Sequence, residues 1–252
     1  MAKVRDKQAR SYAENILIRD YFENKKNGYF VEVGANDPIN HGSQSWHLET
    51  NLNWSGVLVE PISELAEKCR RSRPNAKTYE CACVGENAPD SLSLFIPYDN
   101  YSNDEIHSRA AIGKNIDGSK FKKHKEIKVQ ARTLNSILAE ERVESIDLLS
   151  IDVEGAELEV LLGFSLNKYK PSLILLEDKH LYLDKHRYLK RRGYKLVKRT
   201  RQNCWYVPIN AKRPPQSLFE KIRLLKRMYI SIWSKKLAFS IRHKTLQPLK
   251  QL

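Results

Sequence analysis

A pair of acidic residues is the strongest chemical signal in this chain. Asp152 and Glu154 directly follow an apolar run and stand two residues apart, beside Gly155. Burying two carboxylates is costly unless they have a partner. A cationic ligand, or a hydroxyl group that must lose its proton, would be such a partner. The alternative, acids favoured by the dipole of the next helix, explains Glu157 well and Asp152 poorly. We therefore predict catalytic roles for Asp152 and Glu154.

A turn with one glycine, Gly34-Ala35-Asn36, follows the first apolar run. Glycine lets the backbone turn tightly and approach a ligand, whereas a pyrophosphate-binding dinucleotide loop needs three glycines at fixed spacing. Glu60 and Pro61 follow the next apolar run, and an acid about twenty-five residues after such a turn suits the two ribose hydroxyls of a nucleoside. The pattern favours a nucleoside cofactor without a pyrophosphate. The alternatives are an ordinary strand-to-helix turn and an exposed acid that caps a helix.

A third polar group, Glu177 to His180, follows a later apolar run. His180 is a candidate base because the ordinary pKa of histidine lies near neutrality; the alternative is a plain surface histidine. Asp152, Glu177 and Asp178 offer the oxygen ligands that Mg²⁺ prefers. The sequence does not define their relative positions, however, so we expect no metal site.

The elements that carry these residues alternate between strand and helix. Short apolar runs rich in branched residues are typical of parallel strands buried on both faces; they lie at 29–33, 56–60, 146–152 and 173–177. Helical patterns lie at 46–52, 63–71, 156–162 and 181–192. This alternation predicts a doubly wound, mostly parallel α/β sheet, in which ligands bind beyond the carboxyl ends of the strands. Runs at 194–197 and 204–207 predict a terminal antiparallel hairpin.

The positive charge of the chain is concentrated near its C-terminus. Eleven of the 44 Lys and Arg residues, but only one of the 30 Asp and Glu residues, lie in 211–252. That segment therefore carries +10 of the net +14, and the rest of the chain is nearly balanced. Because a nucleic-acid groove needs its charge on the folded body, we expect no nucleic-acid partner. We divide the chain into a domain over 1–210 and a basic helical tail over 211–252.

The tail has the pattern of an amphipathic helix. Apolar residues recur at helical spacing from Ser217 to Ile241, and basic residues lie opposite them or along the borders. The apolar face comprises Leu218, Phe219, Ile222, Leu225, Tyr229, Ile230, Ile232, Trp233 and Leu237. A broad apolar face with aromatic residues and a basic side is typical of helices that lie on anionic membranes. The alternative is a helix that packs on the body or forms a dimer.

Two further features set expectations for location and substrate access. Four cysteines without paired spacing, including Cys81 and Cys83, indicate buried thiols in a reducing compartment. The N-terminus lacks the apolar core of a signal peptide. We expect a cytoplasmic protein that is peripheral at the inner face of the membrane. The polar segment Pro97–Lys125 shows no periodicity and predicts a long loop, either a lid over an acceptor site or a flexible insertion.

Five stretches give the chain a family resemblance over roughly 11–208. They are SYAENILI at 11–18, FVEVGANDP at 30–38, WSGVLVEP at 54–61, IDLLSIDVEGAELEVL at 146–161 and YLKRRGYKLV at 188–197. In order and spacing these stretches resemble the FkbM family of methyltransferases, and the long fourth stretch is the most specific. The resemblance implies a class I methyltransferase (Rossmann-like) sheet that ends in an antiparallel hairpin. It also implies S-adenosylmethionine as cofactor, and O-methylation, often of sugars.

The resemblance also implies roles for individual residues. Gly34, Ala35 and Asn36, in the motif that begins at Glu32, would line the methionine part of the cofactor. Glu60, followed by Pro61, would bind the ribose. Ala82 and Cys83 would flank the adenine, and Asp152 would lie near the methyl group. The chain departs from the family pattern at Pro38, where many members have glycine, and in the 97–125 segment, so the acceptor is left open.

The leading hypothesis is an O-methyltransferase that acts on a hydroxyl of a sugar, in a polysaccharide or glycolipid. One alternative is a catalytically inactive cofactor-binding module that acts as an interaction partner at a membrane. Another is a nucleic-acid methyltransferase, although the chain has no Asn-Pro-Pro-Tyr-like tetrapeptide and its body is nearly neutral. Fold alone does not decide between them.

Overall fold

The computed structural model describes residues 13–39, 43–99, 105, 107, 110–112, 123–178, 183–200 and 203–243. In chain order the strands are β1 (Tyr29–Val33), β2 (Ser55–Val59), β3 (Ala76–Tyr79), β4 (Ala82–Cys83), β5 (Ser91–Pro97), β6 (Ala111–Ile112), β7 (His124–Arg132), β8 (Leu148–Ile151), β9 (Leu173–Glu177), β10 (Tyr194–Thr200) and β11 (Asn203–Pro208). The helices are α1 over 13–21, α2 (Trp46–Leu52), α3 (Ser63–Ser72), α4 (Leu134–Glu140), α5 (Glu157–Leu162), α6 (Leu166–Tyr169), α7 (Asp184–Arg191), α8 (Leu218–Leu225) and α9 (Ser231–His243), with a π-helical segment at Lys226–Ile230.

Within these residues, seven strands form the main sheet, in the order β10-β11-β9-β8-β1-β2-β3. β1 pairs in parallel with both β2 and β8, and β8 pairs in parallel with β9. β11 runs antiparallel to its neighbours β9 and β10. The predicted parallel sheet and its terminal antiparallel hairpin are therefore confirmed.

Alternate residues of each strand supply two cores, one on each face of the main sheet. Val31 and Val57 join the core that contains residues of α4 to α7. Phe30 and Leu58 join the opposite core, which contains residues of α1, α2 and α3. Because side chains alternate across a strand, a strand covered on both faces has a continuous apolar run. Helices on both faces confirm the doubly wound arrangement.

A second, smaller sheet was missed by the sequence analysis. β4, β7, β5 and β6 lie in that order, with β5 and β7 paired antiparallel over seven residues. The two ends of the predicted loop at 97–125 are thus strands, and 123–125 belongs to or adjoins β7. In β7, Ile127, Val129 and Ala131 alternate with polar residues, a short half-buried pattern that the sequence analysis did not recognise as a strand; only Val129 and Ala131 of β7 are buried.

The tail forms one helical segment from α8 through the π-helical turns to α9. The hydroxyl of Ser217 accepts a hydrogen bond from the Glu220 N–H, and the Glu220 carboxylate accepts one from the Ser217 N–H. This capping box satisfies two of the free N–H groups at the helix start. Across the described parts of the chain, no helix combines the length and apolar character needed to cross a membrane.

Candidate active site

The carboxyl ends of β1, β2 and β8 meet at one edge of the main sheet. The N–H of Gly34 donates to the carbonyl of Val59 at 2.9 Å, and the N–H of Asp152 donates to the carbonyl of Val33 at 3.0 Å. Glu60 follows β2, its own N–H bonded to the carbonyl of Tyr79. The structure therefore brings together the glycine turn, Glu60 and Asp152, as parallel pairing of these strands requires.

Gly34 is the residue on which this convergence depends. Its backbone has φ +87°, and a Cβ at this position would lie 1.9 Å from the carbonyl oxygen of Asp152. No side chain fits there without moving the backbone of one of the two strands. Asn36 and Glu154 also have left-handed backbones, with φ 46° and 52°. Such conformations are costly for residues other than glycine and tend to be kept where a site needs them.

Glu60 is buried, and its carboxylate is held by the backbone on both sides. One oxygen accepts from the N–H of Asn36 at 2.8 Å and the other from the N–H of Ile62 at 3.0 Å. Burial raises the pKa of Glu60, and the two N–H groups and His107 oppose that rise. A carboxylate has about four acceptor sites, so two remain for a ligand. This geometry fits the two ribose hydroxyls of a nucleoside cofactor.

We expect Glu60→Gln to weaken binding of S-adenosylmethionine at least tenfold, about 1.4 kcal/mol. The amide keeps the shape of the side chain, but it replaces one acceptor oxygen with a donor that faces a backbone N–H or a ribose hydroxyl. Isothermal titration calorimetry measures the affinity. Glu67→Gln is the control, since Glu67 lies on α3, 44% of its side chain is exposed, and it pairs with Arg70 and Arg71. Equal affinity of a folded Glu60→Gln protein and wild type would contradict the ribose role.

Glu32 lies at the same edge but points its carboxylate into the protein. It accepts from the hydroxyls of Ser43 and Ser45 and from the N–H of Gln44 and Ser45, and it is 3% exposed. These four donors occupy the carboxylate. Its role in the described structure is therefore to hold the segment at 43–45 below the glycine turn. The sequence analysis grouped Glu32 with the cofactor-binding residues; in the structure its carboxylate is buried and bonded to residues 43–45.

Asp152 lies in a cluster of carboxylates at the end of β8. Oxygen atoms of Asp152, Glu154 and Glu177 lie within 4.8 Å of one another. Burial of the carboxyl group, the charges of Glu177 and Glu154 and a hydrogen bond to Glu177 raise the pKa of Asp152 well above its usual range, although part of the residue is exposed. Such a cluster can accept a proton, face a cationic group, or hold a cation. The acids alone do not assign a metal.

Asp178 differs from the other acids considered for Mg²⁺. Its carboxylate lies 3.3 Å from the ammonium of Lys185, which also contacts Glu157 at 3.2 Å. Burial would lower the pKa of Lys185, but Asp178, Glu157 and Asp184 together raise it. Lys185 thus balances the two acids beside it, and Glu154 takes the place in the cluster that the sequence analysis considered for Asp178.

The remaining predicted residues fall into three groups. Ala35, Ala82 and Cys83 are buried, and Ala82 and Cys83 pair with Ala131 and Arg132 of β7. Burial raises the pKa of the Cys83 thiol, so it remains protonated. Pro61 is partly exposed next to Glu60. His180 lies outside the described residues.

A cavity beside Pro61 was not found from the sequence. It has a volume of about 550 Å³, with Ile62, Ile96 and Ile127 among its apolar lining residues. Its charged lining residues include Glu64, Glu80, Glu105, His107, Lys125 and Lys128. His107 and Lys125 contact Glu105 at 3.1 and 2.9 Å. Apart from Glu80, which follows β3, these groups come from α3 and from the second sheet with its loop, so recognising them required the sheet that the sequence analysis missed.

The chain shows a distant likeness to several solved structures. The chain is similar to a precorrin-6y C5,15-methyltransferase from Geobacter metallireducens, with 12% identity, coverage of 77% of this chain and 85% of that chain, and a TM-score of 0.38. It is also similar to the METTL16 methyltransferase domain, with 11% identity, coverage of 77% of this chain and 64% of that chain, and a TM-score of 0.42. A third similar structure is the N-terminal domain of human METTL16 in complex with SAH, with 12% identity, coverage of 75% of this chain and 65% of that chain, and a TM-score of 0.39. No curated protein matches the chain at a significant level.

A family model decides the assignment. The model described as the methyltransferase FkbM domain matches residues 32–196, which include the glycine turn, Glu60 and the whole acidic cluster. The cofactor of the chain is S-adenosylmethionine, and the close-approaching turn at Gly34 and the partly free carboxylate of Glu60 fit its nucleoside. The chain belongs to the FkbM family of methyltransferases.

Proposed function

We propose that the chain is an O-methyltransferase that acts on a hydroxyl of a sugar, in a polysaccharide or a glycolipid. The observation that carries this proposal is the carboxyl cluster around Asp152, at the same sheet edge as the glycine turn and Glu60. A methyltransferase that acts on a hydroxyl must remove a proton from a weak acid, and carboxylates beside the acceptor serve as the base.

The chemistry divides between cofactor and protein. S-adenosylmethionine supplies a methyl group that is already activated by its sulfonium. The protein must align the acceptor oxygen and take its proton, and Asp152 is the residue that we assign to the second task. The Asp152 carboxylate would take the proton that the acceptor hydroxyl loses on methylation, and the bound cofactor would supply the methyl group, with a neutral thioether as the leaving group. Alignment of the reacting groups provides most of the remaining rate enhancement.

The charge and shape of the site favour a neutral acceptor that is rich in hydroxyl groups. Carboxylates accept hydrogen bonds from hydroxyls. The Asp152 cluster consists of three carboxylates, and Glu64, Glu80 and Glu105 line the cavity beside Pro61. The isoleucines of the cavity provide apolar contact for the face of a sugar ring. An acceptor made of closely spaced phosphates would meet like charge at the Asp152 cluster, which disfavours a nucleic acid.

Mass spectrometry of surface polysaccharide and glycolipid tests the proposal. Cells that lack the gene should lose one methyl group, about 14 mass units, from a sugar residue. A gene copy encoding the wild-type chain should restore it, and a copy encoding Asp152→Asn at equal protein level should not. An unchanged glycan profile together with loss of methylation from RNA would overturn the sugar assignment, and restoration by Asp152→Asn would overturn the role of this carboxyl group.

A further inference from the structure

The tail helix presents its apolar side chains to solvent. Among the described residues, eleven large hydrophobic side chains are exposed, and nine of them lie on this one helix. They are Leu218, Phe219, Ile222, Leu225, Tyr229, Ile230, Trp233, Leu237 and Ile241. We call them the tail apolar face. Most are separated by three or four residues, which places them along one side of the helix. An exposed apolar patch of this extent marks an interaction surface.

The face that the helix does bury is different in character. Met228 is 1% exposed, Lys236 3% and Ser240 6%. Glu220 contacts Lys198 of β10 at 3.3 Å, which ties the start of the helix to the body. An amphipathic helix of a soluble protein normally turns its apolar stripe to the core and its polar residues to water. Within the tail apolar face, Tyr229 contacts His186 of α7. Leu225 and Trp233 nevertheless face outward while a lysine and a serine are buried, so packing on the body does not account for most of the tail apolar face.

Positive charge borders the exposed face. Lys221, Arg223 and Lys226 are exposed. Arg227 is partly buried, and this burial, followed by the charges of Arg223 and Arg199, lowers its pKa. Glu220 is the one acid in 211–252. Such a surface is completed by a partner that offers negative charge next to apolar volume.

We infer that the tail helix lies on an anionic lipid surface, with the tail apolar face in the acyl-chain region and its lysine and arginine side chains at the headgroups. Apolar burial and attraction to anionic headgroups act together in helices of this type. A second copy of the chain would bring two strongly positive tails together. A nucleic acid would match the charge but would leave the nine apolar side chains in water. This inference stands on the tail alone and does not depend on the proposed acceptor.

Vesicle sedimentation with the full chain tests the inference. The protein should pellet with vesicles of phosphatidylcholine and phosphatidylglycerol in equal parts at low salt, and at least tenfold less with phosphatidylcholine alone. The triple variant Leu225→Gln, Trp233→Gln, Leu237→Gln should lower the partition coefficient on anionic vesicles at least tenfold, since it removes apolar burial. The triple variant Lys221→Gln, Arg223→Gln, Lys226→Gln should lower it by a similar factor at low salt and have little effect at high salt.

Two control variants test whether the loss of vesicle binding is specific to the tail helix or follows from any loss of apolar or charged surface. Ile209→Gln removes an exposed apolar side chain outside the helix. Lys26→Gln, Lys77→Gln and Lys190→Gln together remove the same charge from exposed positions of the body. Both controls should bind as wild type does. Of the four tryptophans, Trp54 and Trp205 are fully buried and Trp46 is partly exposed. In a Trp46→Phe background, a blue shift of tryptophan emission on vesicle binding should therefore come from Trp233 and be lost in Trp233→Phe.

Three results would overturn the inference. The first is equal binding of wild type and the folded apolar triple variant to anionic vesicles. The second is equal binding of wild type to neutral and anionic vesicles. The third is failure to bind vesicles by a chain that forms a dimer in sedimentation velocity, when that dimer is lost in the apolar triple variant.

Discussion

Asp152→Asn should lower the rate of methyl transfer at least 100-fold and leave the folded protein as stable as wild type, or more stable, at neutral pH. The rate falls because an amide cannot take a proton from the acceptor hydroxyl, and a general base contributes about 10²- to 10⁴-fold. The stability rises because burial of the Asp152 carboxyl group, and after it the charges of Glu177 and Glu154, disfavour its ionised form and raise its pKa. A substitution that lowers the rate of methyl transfer and raises the free energy of unfolding would indicate that Asp152 serves catalysis at a cost in stability.

The pH dependence of this effect has a definite sign. Because the folded protein holds the Asp152 proton more tightly than the unfolded chain does, the group favours folding below the ordinary aspartate pKa of about 3.9. That contribution is lost as pH rises through the raised pKa of the folded state. The stability advantage of Asp152→Asn over wild type should therefore grow as pH rises through that range. The wild-type rate should rise over the same range as the carboxylate ionises.

Asp147→Asn is the matched control, since it changes an aspartate just before β8, at the opposite end of that strand. Asp147 accepts from the N–H of Tyr29 at 2.9 Å and pairs with Lys25 at 2.6 Å. Its replacement should lower the free energy of unfolding by about 1 kcal/mol and leave the rate of methyl transfer unchanged. Single-turnover kinetics and urea denaturation measure the two quantities. A normal rate for Asp152→Asn, or a loss of stability as large as that of Asp147→Asn, would contradict our assignment.

The site residues that the sequence predicted best are those that follow buried parallel strands. Val31, Val57 and Leu149 lie in short runs that are nearly continuous in apolar character, so the strands were recognisable, and parallel pairing then requires their carboxyl ends to meet. The positions of Gly34, Glu60 and Asp152 at one edge follow from this pairing. Local pattern and long-range arrangement agree at these residues, and for that reason the sequence was sufficient.

Other parts of the site depend on contacts that no local pattern encodes. The cavity beside Pro61 combines α3 with the second sheet, whose strand β7 alternates between apolar and polar residues only from Ile127 to Arg132 and is otherwise exposed. Glu32 lies in a family motif, which indicated ligand binding. Its hydrogen-bond donors include the hydroxyls of Ser43 and Ser45. Both hydroxyls in turn accept from the guanidinium of Arg73, which directly follows α3, about thirty residues further along the chain. Only the folded structure brings these residues together.

The guanidinium of Arg73 connects the buried polar residues near the glycine turn in one hydrogen-bond network. Arg73 is 1% exposed, and its guanidinium donates to Glu49, to the carbonyl of Pro38 at 3.0 Å, and to the hydroxyls of Ser43 and Ser45 at 3.1 and 2.8 Å. The two serines in turn donate to Glu32. The network thus joins α3 and α2 to the end of β1. Arginine suits this position because its planar fork can serve several acceptors at once.

Arg73→Met should lower the free energy of unfolding by about 3 to 5 kcal/mol, since removing one partner of a buried ion pair leaves the other charge uncompensated. Glu49 is 6% exposed and would keep only the N–H of Asn75, at 3.0 Å, among the contacts described for its carboxylate. Arg71→Met is the control two residues away. Arg71 is 77% exposed and pairs with Glu67, so its loss should cost less than about 1 kcal/mol. Chemical denaturation followed by circular dichroism measures both variants.

A second variant tests whether the cost arises from the charge left behind. Replacing Arg73 and Glu49 together with methionine and leucine should recover much of the lost stability, because an apolar pair of similar volume needs no compensating charge. The double variant should nevertheless bind S-adenosylmethionine more weakly than wild type, since Ser43 and Ser45 lose the guanidinium that positions them against Glu32. If Arg73→Met were no less stable than Arg71→Met, the network would not stabilise the fold. If the double variant bound the cofactor with wild-type affinity, the network would not support the glycine turn.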